Sequence, residues 1–136
     1  MHSHAIHVLL VEDNPGDVRF IRRLLAEAST IESDSQAFDL TCVDTLAEGV
    51  VSLHTQQSDV VLLDLSLPDS QGLSTLTRMQ AAAPAVPVVV LTGLADQNAA
   101  LAAVQNGAQD YLVKGRVDPY ALSNSIRYAR ERKQLL

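Results

Sequence analysis

The sequence predicts an α/β domain with a five-stranded parallel sheet and helices on both of its faces. Short apolar runs of strand length alternate five times with segments whose apolar residues recur at helical spacing. The run at 60–65 is apolar except for Asp64, as is typical of a strand buried on both faces of a parallel sheet. The length of 136 residues suits one domain with a hydrophobic core, and the alternation implies right-handed crossovers.

The first strand–helix unit begins with the apolar run at 6–11. Asn14 is expected to cap the helix that follows, because its side chain can accept a backbone hydrogen bond and Pro15 suits the first helical position. The polar stretch 29–36 predicts a loop. The helix has one apolar face, formed by Val18, Ile21, Leu24, Leu25 and Ala28.

Two further strands lie before the middle of the chain. Alternating apolar residues at 38–42 predict the second strand, and Thr45 and Glu48 have capping-box spacing at the start of the second helix. The third strand, 60–65, carries Asp64 as its penultimate residue. An acid at this end of a buried strand points to the edge of the sheet where α/β folds bind ligands.

The second half of the chain repeats the pattern. A third helix is marked by Leu73, Leu76 and Met79 and ends before Pro84. An apolar run at 86–91 predicts the fourth strand.

A short fifth strand lies between the fourth and fifth helices along the chain. Asp96 is expected to start an alanine-rich fourth helix that stops near Gly107, which is a typical C-terminal signal. The fifth strand is predicted at 110–114, and the final helix opens at Pro119 and runs close to Leu136.

Composition and charge exclude several classes of function. Hydrophobic residues form 47% of the chain and charged residues 19%, which indicates a folded globular protein. The net charge of −6 argues against nonspecific binding of DNA or anionic membranes. No apolar run reaches transmembrane length, the N-terminus does not resemble a signal peptide, and the single cysteine, Cys42, suits a reducing compartment. We therefore expect a cytoplasmic protein.

Polar residues stand at the carboxyl ends of four predicted strands. Glu12 and Asp13 follow the first strand, and Asp64 ends the third. Thr92 ends the fourth strand and Lys114 the fifth. These ends meet at one edge of a parallel sheet, so we expect the five residues to share a pocket. Three neighbouring carboxylates repel one another, and a divalent cation with hard oxygen ligands, most simply Mg²⁺, relieves the repulsion.

The same residues indicate a chemistry. A lysine and a hydroxyl opposite the acids suit a dianionic group held on Asp64. The reaction implied is attack of the Asp64 carboxylate on phosphorus, with the metal ion and Lys114 stabilising the developing charge.

In this order and at these strand ends, the residues resemble the receiver domain of two-component response regulators. The resemblance covers residues 6–129 and implies a flavodoxin-like (βα)5 three-layer sandwich. Residues 130–136 would then be a C-terminal helical extension, suited to link an output domain. The matching fragments are Val11-Glu12-Asp13-Asn14, Leu63-Asp64-Leu65-Ser66-Leu67-Pro68-Asp69, Leu91-Thr92-Gly93 and Asp110-Tyr111-Leu112-Val113-Lys114.

The resemblance implies that Asp64 is a phosphorylation site with Mg²⁺ bound beside it. Asp13 would bind the ion directly, Glu12 would help through water, and the backbone carbonyl of Ser66 would be a further ligand.

The resemblance also implies a conformational switch. Lys114 would pair with the phosphoryl group, Thr92 would swing to bond it, and the ring of Tyr111 would move inward with the threonine. The surface formed by the fourth helix, fifth strand and fifth helix would change shape. One departure from the family pattern is Gly115, which follows Lys114 where many receivers have a proline in a cis peptide.

The implied partners are a histidine kinase or phosphotransfer protein upstream and an output protein or a fused output domain downstream. The domain would be a signalling module and not an enzyme, without direct binding of nucleic acid or membrane. A heptad-like seam in the last helix suits a homodimer or a linker to an output domain. The seam comprises Leu122, Ile126, Ala129, Lys133 and Leu136.

Three other functions fit parts of the sequence. A phosphatase of the haloacid dehalogenase type would also use Asp64, but it typically needs a second acid two residues later, where this chain has Ser66. A flavodoxin-type FMN binder shares the fold, but Glu12 and Asp13 would repel its phosphate. A degenerate receiver that binds partners without phosphorylation is the main alternative, although the acids and Lys114 argue against it.

Overall fold

The computed structural model describes residues 5–31 and 37–135 and confirms the flavodoxin-like α/β sandwich. The sheet has five parallel strands in the order β2-β1-β3-β4-β5. The strands are β1 (Ile6–Val11), β2 (Phe38–Val43), β3 (Val60–Asp64), β4 (Val88–Thr92) and β5 (Asp110–Val113).

Five helices cover the two faces of this sheet. They are α1 (Pro15–Ile31), α2 (Leu46–Thr55), α3 (Leu73–Ala82), α4 (Gln97–Gln105) and α5 (Pro119–Leu135). Helices α1 and α5 pack side by side on one face, and α2, α3 and α4 form a row on the other. Among the described residues, no helix combines the length and the apolar character needed to cross a lipid bilayer.

The central strands are buried along their whole length. Every residue of β3 and β4 is buried. Successive side chains of a strand point to opposite faces, so Val60 and Leu62 pack towards α1 and α5, whereas Val61 and Leu63 pack towards α2, α3 and α4. Burial on both faces explains why these strands appear in the sequence as continuous apolar runs.

Two predicted helix caps, Asn14 and Thr45, are confirmed, whereas the side chain of Asp96, which precedes α4, accepts no capping hydrogen bond from the described residues. The Oδ1 atom of Asn14 accepts a hydrogen bond from the backbone N–H of Asp17 at 3.0 Å, and α1 begins at Pro15. The hydroxyl oxygen of Thr45 accepts from the N–H of Glu48 at 3.1 Å at the start of α2. Both caps satisfy backbone donors that have no partner within their own helix.

Several predicted boundaries were wrong by one to three residues. Helix α1 continues to Ile31, so the loop predicted at 29–36 begins later, and its residues 32–36 lie outside the described part of the chain. Asp64 is the last residue of β3 and not the penultimate one, and β4 begins at Val88 and not at 86. Helix ends fray and depend on tertiary contacts, which leaves such limits poorly determined by local sequence.

The seam predicted along the last helix packs largely inside the domain. Leu122, Ile126 and Ala129 are fully buried against the layer that contains α1. Lys133 is half-buried, and Leu136 lies outside the described residues. The burial of the first three positions gives the seam a role in the core. Its use in a homodimer, like the division into 6–129 and 130–136, stays a prediction.

Candidate functional site

The fold brings the predicted polar residues to the carboxyl edge of the sheet. Glu12 follows β1, Asp64 ends β3 and Lys114 follows β5. The Nζ atom of Lys114 lies 2.5 Å from Oε1 of Glu12 and 3.2 Å from Oδ2 of Asp64. Residues from the first, third and fifth strands therefore meet in one cluster, although β5 is separated from β3 by β4.

The acidic side of the cluster has the donor set of a hard-cation site. One carboxylate oxygen from each of Glu12, Asp13 and Asp64 lies within 4.8 Å of the others. Glu12 and Asp64 are only 1% and 8% exposed, whereas Asp13 is exposed to solvent. Three clustered carboxylates, of which two are buried and one is open to water, fit Mg²⁺, which takes oxygen ligands and retains several waters.

Glu12 is the most deeply buried acid of the cluster. Burial and the neighbouring Asp64 carboxyl raise the pKa of Glu12 to about 7, against the opposing influence of Lys114. Its Oε2 atom also accepts a hydrogen bond from the backbone N–H of Asn14 at 3.2 Å. Glu12 is thus fixed from two sides, by the lysine and by the turn that leads into α1.

Lys114 contacts a third acid that the sequence did not identify as part of the site. Its Nζ atom donates to Oδ2 of Asp17 at 3.0 Å. Burial disfavours the charged form of Lys114, but its bonds to Glu12 and Asp17 and the charge of Asp64 outweigh burial and raise its pKa above the usual value. Asp17 lies in the first turn of α1, where a negative charge also interacts favourably with the N-terminus of the helix. Helix α1 begins at the carboxyl edge of the sheet, so an acid in its first turn could have been identified from the sequence as a member of the site.

The loop after β3 begins at the site and folds back on itself. The backbone N–H of Ser66 donates to Oδ1 of Asp64 at 2.9 Å, which fixes the orientation of the Asp64 carboxylate. Residues Ser66–Leu67 and Ser70–Gln71 pair as a short antiparallel hairpin, and the N–H of Gly72 donates to the carbonyl of Leu65 at 2.8 Å. The predicted role of the Ser66 carbonyl as a metal ligand stays a prediction.

Asp69, in the turn of this hairpin, caps helix α2. Its two carboxylate oxygens accept from the N–H groups of Leu46 at 2.8 Å and Ala47 at 3.0 Å. These two hydrogen bonds hold the pKa of the Asp69 carboxyl below its usual value. The loop that follows Asp64 is therefore fastened to a neighbouring helix.

We expect Asp69→Ala to lower the free energy of unfolding near neutral pH and to have less effect in acid. Because the pKa of Asp69 is lower in the folded state, its stabilisation is complete above the unfolded pKa, about 4, and is lost as the pH falls through the folded value. Urea unfolding of both proteins at about pH 7 and about pH 3 tests this expectation. The neighbouring exposed acid Asp44, changed to alanine, is the control. An equal loss of stability in Asp69→Ala at both pH values would contradict the expectation.

Thr92 and Tyr111 occupy the same face of the sheet. Thr92 is 3% exposed and lies two residues after Val90, whose side chain packs in the layer of α2, α3 and α4. Tyr111 is half-buried and packs against that layer. Thr92 lines a cavity of about 190 Å³, and Asp64, Ser66 and Asp96 line other parts of it. Room for a small group thus adjoins both Asp64 and Thr92.

The hydroxyl of Thr92 is buried without a hydrogen-bond partner among residues 5–31 and 37–135. An unpaired buried polar atom destabilises a protein, so we expect Thr92→Val to raise the free energy of unfolding by about 1 kcal/mol. The matched control is Thr75→Val, which we expect to be destabilising because the buried Thr75 hydroxyl shares a hydrogen bond with Ser70 at 2.7 Å. Urea unfolding measures the change in the free energy of unfolding of each variant. A loss of stability in Thr92→Val would contradict the expectation.

The departure at Gly115 leaves the position of Lys114 intact. All peptide bonds among the described residues are trans. The backbone N–H of Lys114 donates to the carbonyl of Thr92 at 2.8 Å, which continues the pairing of β4 and β5 by one residue. The main chain of Lys114 is thereby fixed to the end of β4.

The flavodoxin-like sheet and the acids and lysine at its carboxyl edge agree with the resemblance to receiver domains found in the sequence. Residues 8–127 match the family model described as the response regulator receiver domain. The match covers most of the chain, and the chain belongs to this family: it is a receiver domain of a two-component response regulator.

Curated relatives agree with the family assignment. The chain is 34% identical over 109 residues to the KDP operon transcriptional regulatory protein KdpE of Escherichia coli (strain K12), covering 79% of this chain and 44% of that protein. It is 30% identical over 131 residues to the transcriptional regulatory protein GlrR of the same strain, covering 96% of this chain and 28% of that protein. The chain spans less than half the length of these relatives.

Solved structures agree as well. A response regulator receiver domain protein from Clostridium thermocellum superposes with a TM-score of 0.78 at 26% identity, covering 96% of this chain and 98% of that one. The receiver domain of sensor histidine kinase PA1611 from Pseudomonas aeruginosa PAO1 superposes with a TM-score of 0.74 at 27% identity, covering 94% and 99%. That structure is described with a magnesium ion coordinated in its active site cleft.

Proposed function

We propose that this receiver domain accepts a phosphoryl group on Asp64 from a phosphohistidine of a histidine kinase or phosphotransfer protein. The observation that supports this most directly is the contact of Lys114 with Asp64, beside the carboxylates of Glu12 and Asp13. A carboxylate paired with a lysine and adjoined by further acids suits the transfer of a dianionic group.

The proposed transfer forms one bond and breaks another. A carboxylate oxygen of Asp64 attacks the phosphorus of the phosphohistidine, and a P–O bond forms as the P–N bond breaks. The imidazole nitrogen keeps the electron pair of the broken bond and takes up a proton. The N–H of Ser66 orients the attacking carboxylate, and Lys114 neutralises part of the charge on the phosphoryl oxygens.

We propose that Mg²⁺ is held by Asp13 and Asp64, with Glu12 acting through water and the Ser66 carbonyl as a further ligand. The cluster of carboxylate oxygens within 4.8 Å supports this ligand set, as does the magnesium ion described for the PA1611 receiver domain. When bound, the ion supplies positive charge beside the transferred group.

The proposed output is a change of surface shape. Thr92 would turn towards the phosphoryl group on Asp64, and Tyr111 would move inward on the same face. The cavity between Asp64 and Thr92 and the unpaired Thr92 hydroxyl support this movement. The affected surface, formed by α4, β5 and α5, would then bind an output protein or a fused output domain, or a second copy of the domain.

The test is intact-mass analysis after incubation with acetyl phosphate, with Mg²⁺ and with EDTA. We expect a single added phosphoryl group that appears with Mg²⁺ and is absent with EDTA. Addition that is equal under both conditions would contradict the role of the metal ion. No addition under either condition would contradict the proposed function and favour a degenerate receiver that acts by contact alone.

A further inference from the structure

We propose that Asp17 is a positioning residue that restrains Lys114 and competes for it with a phosphoryl group on Asp64. This inference rests on the proposed function. It starts from the 3.0 Å contact between Nζ of Lys114 and Oδ2 of Asp17, which joins two residues 97 positions apart. Asp17 lies outside the set of acids that cluster as a metal site, so its role is separate from that of Glu12, Asp13 and Asp64.

The ammonium group of Lys114 already contacts three carboxylates before any phosphoryl group is present. An ammonium has three N–H donors, and Lys114 has three carboxylates within reach, those of Glu12, Asp17 and Asp64. A phosphoryl group on Asp64 brings additional anionic oxygens. To donate to them, Lys114 must weaken one of its existing contacts.

The exposure of Glu12 and of Asp17 decides which of these two contacts weakens. The side chain of Glu12 is 1% exposed, so removing its lysine would leave a buried acid without its cation, which is costly. The side chain of Asp17 is 34% exposed, and water can replace the lysine there. Asp17 is therefore the partner that Lys114 releases when the phosphoryl group arrives.

Because Asp17 competes for Lys114, the site binds a phosphoryl group more weakly than it would if Lys114 had no contact with Asp17. Asp17 stabilises the position of the lysine in the free protein, and its negative charge also opposes the arrival of another anion. Asp17→Asn removes the charge, keeps the size of the side chain and should free Lys114. Partly exposed ion pairs contribute little, so we expect the affinity for a phosphoryl mimic to rise about two- to fivefold.

The experiment is a titration with beryllofluoride, a noncovalent mimic of a phosphoryl group, at saturating Mg²⁺ and followed by fluorine NMR. Glu27→Gln is the matched control, because it removes one negative charge from the same helix at a residue that pairs with Arg23, away from Lys114. We expect Asp17→Asn to bind more tightly than the unaltered protein and Glu27→Gln to bind equally.

A second condition separates a charge effect from a change of structure. Screening weakens interactions of partly exposed charges, so the ratio of affinities between Asp17→Asn and the unaltered protein should fall towards one at about 1 M salt. A ratio unaffected by salt would overturn the inference, because only the charge of Asp17 competes for Lys114.

The outcomes also separate this inference from the proposed function. If the unaltered protein fails to bind beryllofluoride, the proposed function fails and the inference with it. If the unaltered protein binds and Asp17→Asn binds equally or more weakly, the inference alone is overturned. An equal gain of affinity for beryllofluoride in Glu27→Gln would overturn the inference as well, because the gain would then result from the lower net negative charge of the protein.

Discussion

Asp64→Asn is expected to abolish phosphoryl addition to the chain. The carboxylate of Asp64 is the proposed nucleophile, and the neutral amide that replaces it cannot attack phosphorus at a useful rate. The asparagine side chain retains the shape of the aspartate and one oxygen that can accept from the N–H of Ser66. The measurement is intact mass after incubation with acetyl phosphate and Mg²⁺, in which the variant should stay at its unmodified mass.

The control for this loss is Asp39→Asn. Asp39 is an exposed acid of β2 that pairs with His7 at 3.2 Å, towards the opposite edge of the sheet. We expect this variant to accept one phosphoryl group as the unaltered protein does. Addition that persists in Asp64→Asn would show that another acid, such as Asp13, is the phosphoryl acceptor.

The second large effect is expected from Lys114→Met, which should slow phosphoryl addition by about 100-fold. Removal of one donor that stabilises developing charge in an enzyme site costs about 100- to 1,000-fold in rate, and Lys114 is the cation in contact with Asp64. Methionine keeps a long flexible stem and removes the charge. The rate is measured from the appearance of the added mass over time with acetyl phosphate at saturating Mg²⁺.

Lys133→Met is the matched control, because Lys133 is the other lysine of the chain and lies near the C-terminal end of α5. We expect its rate to equal that of the unaltered protein. Far-ultraviolet circular dichroism establishes that both variants are folded. A rate within about twofold of the unaltered protein in Lys114→Met would contradict a role for the ammonium in charge stabilisation.

Much of the fold was predictable because its signals are local. The apolar runs of β3 and β4 indicate burial on both faces, and Asn14 with Pro15 marks the start of α1. Periodicity, capping and turn residues act between near neighbours in the chain, so they appear directly in the sequence. The limits of elements were less predictable, as the extension of α1 to Ile31 illustrates.

The site was predictable for a related reason. Parallel strands with their carboxyl ends at one edge bring Glu12, Asp64 and Lys114 together, whatever the details of packing. The resemblance to the receiver family added the proposed roles of Ser66 and Tyr111. Neither role follows from strand position alone.

The sequence by itself determined the order of strands and helices, the buried central strand and the acids and lysine at its edge. The tertiary structure alone decided which side chains meet across that edge. Asp17 reaches Lys114, and Asp69 reaches the N–H groups of Leu46 and Ala47. These contacts depend on the rotation of α1 and α2 against the sheet and on the path of the loop after β3. Those features are set by packing among residues far apart in the chain, and no local pattern records them.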